Sequence, residues 1–149
     1  MLDRTLRCFD LRRKERTVVL YEVPEGQTLL RVAWSHVEPT MIALVAQNSA
    51  SVVIVDTRKP TIPHSEFHGH AACVNEITWS PSSTHLCSVG DDGAAMIWDV
   101  SGQTQREQLE TVPALQYNAG SAINGLSWST ICPQWLAITF GKKMQLLRV

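Results

Sequence analysis

The chain has 149 residues, of which 44% are hydrophobic and 18% are charged, a composition typical of a single globular domain rather than of a disordered chain. The formal net charge of −1 excludes a strong overall field that would favour direct binding to nucleic acid or to an anionic membrane. No apolar run approaches the roughly 20 residues of a membrane-spanning helix, and the N-terminal stretch lacks the apolar core of a secretory signal. We therefore expect a protein of the cytoplasm and the nucleus.

Short apolar runs separated by joins that contain Pro or Gly predict β-strands along the whole chain. In chain order the runs and the hairpins they form are LRCFDLR (6–12), VVLYE (18–22), LLRVAWSHVEPTMIALVA (29–46), VVIVDTR (52–58), VNEITWSPSSTHLCSVG (74–90), AAMIWDV (94–100), INGLSWSTICPQWLAIT (123–139) and MQLLRV (144–149). No segment sustains a 3.6-residue period, so we expect an all-β protein of about thirteen strands. The four cysteines lie within apolar runs, and we expect them to be reduced core residues rather than disulfide partners.

Three of these segments are copies of one another, each with an alternating run that ends in Trp-Ser, a polar linker and a second apolar run. The tryptophans Trp34, Trp79 and Trp128 recur at intervals in the forties. Units of that length with several short strands are typical of propeller blades. The repeats divide the chain, 1–149, into the end of one blade (1–22), a degenerate blade (23–67), a well-formed blade (68–118) and a last, incomplete blade (119–149). We expect about three blades in total.

The middle repeat, GHAACVNEITWSPSSTHLCSVGDDGAAMIWDV (69–100), resembles the WD40 family. In that family a His, a Ser or Thr, an Asp and a Trp form a hydrogen-bonded tetrad within a blade. Matching by position, the resemblance assigns these roles to His70, Ser88, Asp92 and Trp98. Such a network would neutralise polar groups that are costly to bury unpaired.

The other copies depart from this pattern. The N-terminal copy keeps Asp3 but has Phe9 where the Trp would be. In the second blade Val55 takes the Trp position, and Asn48 is the nearest turn residue. The last copy, GKKMQLLRV, has neither an Asp nor a Trp. The resemblance therefore implies a complete tetrad in the middle repeat alone.

A narrower resemblance rests on FDLR, LLRVAW, ACVNEITWSP, IWD, AINGLSW and the terminal LLRV. These segments are similar to an adaptor subgroup that contains the plant TRANSPARENT TESTA GLABRA proteins and an animal partner of dual-specificity tyrosine-regulated kinases. The resemblance implies a non-catalytic scaffold that binds such kinases, or MYB and basic helix-loop-helix transcription factors. Those relatives have seven blades, so we expect this chain to match their C-terminal half and to need the missing blades, or a partner, to close the propeller.

Two clusters raise the alternative of a metal site. The adjacent carboxylates Asp91 and Asp92 would suit a metal, yet beside Gly93 they also fit a tight turn. The segment HSEFHGHAAC supplies a second set of candidate zinc ligands, namely His64, His68, His70 and Cys73. No paired motif elsewhere completes a tetrahedral set, so we predict no metal and no cofactor.

Catalytic and phosphate-binding motifs are also lacking. Ser35, Ser80 and Ser129 each follow a repeat tryptophan, and one serine per blade indicates a structural role rather than three active sites. No P-loop, GxSxG or HExxH motif is present, so we predict that the protein is not an enzyme and has no catalytic residues. The basic run RRKER (12–16) is diluted by acids, and we interpret it as a solvated turn.

The motifs FDLR (9–12) and VDTR (55–58) support an alternative function. They resemble the W-D-x-R motifs of WD40 proteins that recruit the adaptor of the cullin-4 ubiquitin ligase. The resemblance assigns that contact to Arg12 and Arg58, although the best-formed blade has Ser101 at the equivalent position. On this alternative the protein is a substrate receptor of the ligase.

Overall fold

The computed structural model describes residues 4–12, 17–23, 27–101 and 112–149. These residues contain thirteen strands and no helix, so the all-β prediction is confirmed. The strands are β1 (Thr5–Phe9), β2 (Thr17–Glu22), β3 (Leu29–Trp34), β4 (Met41–Ala46), β5 (Ser51–Asp56), β6 (Ser65–His68), β7 (Val74–Trp79), β8 (His85–Gly90), β9 (Ala94–Asp99), β10 (Leu115–Asn118), β11 (Ile123–Trp128), β12 (Trp135–Phe140) and β13 (Lys143–Arg148). As no helix is described, the described ranges hold no helical segment able to cross a membrane.

The strands form four antiparallel sheets, with two, four, four and three members. Each sheet is a meander in which every strand pairs with the next one along the chain, because a short turn is enough to join antiparallel neighbours. The sheets contain β1–β2, β3–β6, β7–β10 and β11–β13 in turn. The number of strands agrees with the thirteen or so that the sequence predicted. The residue boundaries assigned to the blades remain predictions.

The cores lie between successive sheets. Leu20 of the first sheet packs with Ile42 and Leu44 of the second. Ile54 of the second sheet shares a cluster with Trp98 of the third, and the third and fourth sheets meet in another cluster that includes Cys87, Ile97 and Ile138. Burial of each such side chain contributes about 1.5–3 kcal/mol. Face-to-face packing of successive four-stranded meanders is the construction of a propeller.

Sheets cover both faces of the third sheet, and its middle strands are almost entirely buried. All six residues of β8 are buried or half-buried, and Ala94 to Trp98 of β9 are all buried. This explains why AAMIWD lacks the alternation of a strand with one wet face. Phe67 of the second sheet stacks on Trp98, with 5.1 Å between the ring centroids.

Hydrogen bonds between sheets also fix their relative positions. The indole N–H of Trp79 donates to the Ala33 carbonyl of the preceding sheet at 2.9 Å. The Val74 amide donates to the Ser49 carbonyl at 2.9 Å. Arg31 of β3 lies 3.2 Å from Glu76 of β7 and forms a half-exposed ion pair between the first strands of two sheets.

The meanders give the assembly two ends. The described parts of the connections β1–β2, β3–β4, β5–β6, β7–β8, β9–β10 and β11–β12 lie at one of them, which we call the Arg58 end. The turns β4–β5, β8–β9 and β12–β13, with the connections into the next sheet, lie at the other, the Asp92 end. Residues that lie at one end of their own sheets are therefore gathered on a common surface.

Candidate functional site

The four side chains of the predicted tetrad lie together inside the third sheet. His70 precedes β7, Ser88 lies in β8, Asp92 lies in the β8–β9 turn and Trp98 lies in β9. His70 Nδ1 is 2.9 Å from one oxygen of Asp92 and 3.1 Å from the other. His70 Nε2 is 2.7 Å from Ser88 Oγ, and the Trp98 indole N–H donates to the same hydroxyl oxygen at 2.8 Å.

The donors and acceptors of this network fit one pattern when the imidazole is neutral. The Trp98 indole can only donate, so Ser88 Oγ accepts from it and donates its own proton to His70 Nε2. Nδ1 then carries the ring proton and donates to the Asp92 carboxylate. Ser88, His70 and Trp98 are all buried, so every bond of the chain satisfies a group that water does not reach.

Asp92 also closes its own turn. Its carboxylate accepts hydrogen bonds from the amides of Ala71 and Ala94, at 2.9 and 3.0 Å. Burial opposes its ionisation, yet the bonds from Ala94, Ala71 and His70 prevail and hold the pKa of Asp92 below its usual range. The next residue, Gly93, has a φ of 74°, and a Cβ there would lie 3.0 Å from the Ser121 carbonyl oxygen. The turn therefore requires a glycine.

Asp91 has a different environment from its neighbour. It is exposed, and its carboxylate accepts a 2.6 Å hydrogen bond from the side-chain amide of Asn75. The same Asn75 nitrogen donates to the Ile123 carbonyl of the fourth sheet at 3.0 Å. The two carboxylates are therefore used separately, Asp92 within the third sheet and Asp91 beside a contact between sheets.

The candidate zinc ligands do not converge on one point. His68 lies in β6 with its ring nitrogen 3.6 Å from Glu66, whereas His70 lies in the tetrad. Over the described ranges, no group of three or more His, Cys, Asp or Glu side chains is arranged to hold a metal ion.

The serines that follow the repeat tryptophans close the hairpins between the first two strands of the second, third and fourth sheets. The hydroxyl of Ser35 accepts a hydrogen bond from the Glu38 amide at 3.0 Å. Ser80 accepts from the His85 amide at 3.1 Å, and Ser129 accepts from the Cys132 amide at 3.0 Å. Each hydroxyl thus satisfies a backbone donor in a tight connection.

The degenerate repeats keep the turn geometry while the tetrad side chains differ. In the second sheet Val55 is fully buried at the position of the tryptophan. Asn48 has a φ of 58°, and in the last sheet Gly141 has a φ of 55°. These residue types tolerate left-handed backbone, which explains why the turn survives without the Asp. Asp3 of the N-terminal copy lies outside the described residues.

The two arginines proposed for partner contact lie in turns of the Arg58 end. Arg58 donates from its side chain and its backbone amide to Asp56, and the closest contact joins Nη2 to Oδ2 at 2.7 Å. These bonds hold the pKa of Asp56 below its usual range. The Arg58 side chain is nevertheless 67% exposed, so it is fixed in place yet accessible. Arg12 is exposed, and its backbone amide donates to Asp10 at 2.9 Å. Of the basic run, 13–16 lies outside the described residues.

The expectation that all four cysteines belong to the core is wrong in part. Cys87 is fully buried, and burial raises the pKa of its thiol above the usual range. Cys8 and Cys73 are half-buried, and Cys132 is exposed in the β11–β12 turn. The run ICPQWLAI includes both that turn and the start of β12. Its hydrophobicity therefore did not show that Cys132 would lie in the exposed part. All four thiols are free, as expected.

Comparison with known proteins agrees with this geometry. Residues 62–99 match the family model described as WD domain, G-beta repeat. A protein of Dictyostelium discoideum named DDB1- and CUL4-associated factor 7 homolog is 43% identical over 148 residues, which cover 99% of this chain and 45% of that protein. A WD repeat-containing protein of Saccharomyces cerevisiae is 31% identical over 117 residues, which cover 66% of this chain and 22% of the relative. The chain thus spans less than half the length of these relatives.

The fold was also compared with a solved structure. A chain in the crystal structure of the mitotic checkpoint complex superposes with a TM-score of 0.61 at 16% identity, covering 98% of this chain and 57% of that one. At that identity the likeness concerns the fold alone. With the four meanders, it shows that the sheets of this chain have the β-propeller fold, and residues 62–99 match a WD40 repeat.

Proposed function

We propose that this chain is part of a non-catalytic scaffold that holds two or more proteins together. The observation that supports this most directly is the internal use of its reactive groups. His70, Ser88 and Asp92 bond to one another and to backbone, and the serines of the repeats close hairpins. The exposed turns at the two ends are therefore the surfaces available for binding partners, as is common where loops project from a rigid core.

The partners follow from the narrower resemblance to the TRANSPARENT TESTA GLABRA subgroup. They are dual-specificity tyrosine-regulated kinases, or MYB and basic helix-loop-helix transcription factors, bound without direct contact to nucleic acid. This set of partners requires a protein of the cytoplasm and nucleus. The scaffold acts by proximity, because a partner bound at one surface meets the other at a raised effective concentration. Whether two such proteins bind one molecule at the same time, rather than in competition, tests the proposal.

A second candidate is a substrate receptor of the cullin-4 ubiquitin ligase. The geometry of Arg58 supports it, because Asp56 fixes the guanidinium while leaving it exposed, and an ordered arginine loses little freedom on binding. The name of the Dictyostelium relative, 43% identical, also supports it, since it calls that protein a DDB1- and CUL4-associated factor homolog.

The receptor function predicts that charge reversal at both arginines weakens binding to purified DDB1. We expect the double variant Arg12→Glu, Arg58→Glu to bind at least about tenfold more weakly, a loss of about 1.4 kcal/mol of binding free energy. Surface plasmon resonance with immobilised DDB1 measures this. The matched control is Lys142→Glu, Lys143→Glu, which reverses two exposed charges at the Asp92 end and should leave the affinity unchanged. Unaltered binding by the arginine variant, with an unaltered melting temperature, would remove the support for the receptor function.

A further inference from the structure

The two ends of the assembly differ in the side chains that their turns expose. At the Arg58 end, five turn segments each expose a large aliphatic residue, and these residues are Leu11 (88%), Val37 (59%), Ile62 (72%), Val112 (80%) and Ile131 (90%). Among the described residues of the Asp92 end, no turn exposes a large apolar side chain. Single exposed apolar residues are ordinary on a protein surface, whereas adjoining ones mark an interaction site.

Val37, Arg58 and Ile62 belong to the same sheet and to two turns that are tied together. The Thr57 amide of the β5–β6 turn donates to the Thr40 carbonyl of the β3–β4 turn at 2.8 Å. The pKa of Arg58 is raised by its hydrogen bond to Asp56 and, to a smaller extent, by the negative charge of Glu38, which is next to Val37 in sequence. The guanidinium and the two aliphatic side chains are therefore presented by adjoining loops.

The backbone of this region is also held by the next sheet. The amides of His36 and Val37 both donate to the hydroxyl of Ser83, each at 3.0 Å. Ser83 is buried and has a φ of 56°, so the β7–β8 turn is shaped around this contact. Loops fixed in this way lose little conformational entropy when a partner binds.

The charge arrangement indicates what this surface fits. Nε and Nη2 of Arg58 face Asp56, whereas no hydrogen bond within the described ranges uses Nη1. The guanidinium thus offers its outer edge to a further carboxylate, and the neighbouring Lys59 is exposed. Val37 and Ile62 would bury their exposed apolar surface if aliphatic or aromatic groups of the partner lay beside that carboxylate, and this burial would favour binding.

We propose that Val37, Arg58 and Ile62 form one docking surface for a protein segment in which apolar side chains flank a carboxylate. This inference rests on the receptor form of the proposed function and extends it, because it adds an apolar component to a contact assigned to the arginines alone. Arginine is one of the residue types that dominate interface energetics, and apolar side chains around it exclude water from the contact.

The test measures the affinity of purified DDB1 for the full chain with Val37→Ser and Ile62→Ser combined. We expect binding at least about tenfold weaker than wild type, while Val37→Ile with Ile62→Val retains it within about twofold. The control variant is Met144→Ser, Leu146→Ser, which removes two comparably exposed apolar side chains from β13 and should leave binding unchanged. Equal melting temperatures show that the variants are folded.

Three outcomes distinguish this inference from the function on which it rests. Loss of binding in the Val37, Ile62 variant but not in the β13 control supports it. If that variant binds like wild type while the arginine variant does not, the apolar component is wrong and the receptor function stands. If the wild-type chain does not bind DDB1, both are rejected for this partner.

Discussion

Replacing Ser88 with alanine should lower the free energy of unfolding by about 2–4 kcal/mol, because two buried groups lose their shared partner. The Ser88 hydroxyl accepts from the indole of Trp98 and lies 2.7 Å from His70 Nε2. Alanine fills nearly the same volume, so the loss comes from unpaired polar groups rather than from a cavity. Urea denaturation followed by tryptophan fluorescence measures the change.

Ser82→Ala is the matched control for this variant. Ser82 is exposed in the β7–β8 turn, and its hydroxyl bonds to those of Ser80 and Thr84, which solvent can replace. Its substitution should change the free energy of unfolding by less than about 0.5 kcal/mol, as is usual for a surface position. Similar losses in the two variants would contradict the tetrad as a stabilising network.

Asp92→Asn should remove about 1–3 kcal/mol of stability at pH 7 and reduce the acid sensitivity of the fold. The pKa of Asp92 is lower in the folded state than its ordinary value of about 3.9, so its stabilising contribution is complete above that value. It is lost as the pH falls through the lowered pKa of the folded state. Denaturation at several pH values between 7 and 3 should therefore show that the free energy of unfolding declines less steeply for the variant than for the wild type.

Asp91→Asn provides the comparison at the adjacent position. Asp91 is exposed, and an asparagine oxygen can still accept the hydrogen bond from Asn75. We expect a change of less than about 0.5 kcal/mol at pH 7. If the two variants were equally destabilised, the separate roles of the adjacent carboxylates would be wrong.

The elements within each sheet could be predicted because their determinants are local in sequence. Strand period, turn residues and the recurrence of Trp34, Trp79 and Trp128 all act over short distances along the chain. The positions of His70, Ser88, Asp92 and Trp98 came from the resemblance of one repeat to a family pattern. Their distances, and the direction of each hydrogen bond, needed the folded structure.

Contacts between sheets could not be predicted in this way. The Arg31–Glu76 ion pair, the bond from Asn75 to the Ile123 carbonyl and the bonds to Ser83 all join residues far apart in sequence. They depend on the relative positions of adjacent meanders, which no local pattern encodes. Ser83 with its positive φ carried only a weak signal, because serine is common in turns for several reasons.

Bridging of two proteins is tested by the rate at which a dual-specificity tyrosine-regulated kinase phosphorylates a basic helix-loop-helix factor as the concentration of this protein is raised. A scaffold that binds both increases the rate at low concentration, because bound partners meet at a raised effective concentration. At high concentration the partners occupy different scaffold molecules, so the rate should pass through a maximum and fall. A rate that does not respond, or that rises to a plateau without falling, would contradict a scaffold that joins these two partners.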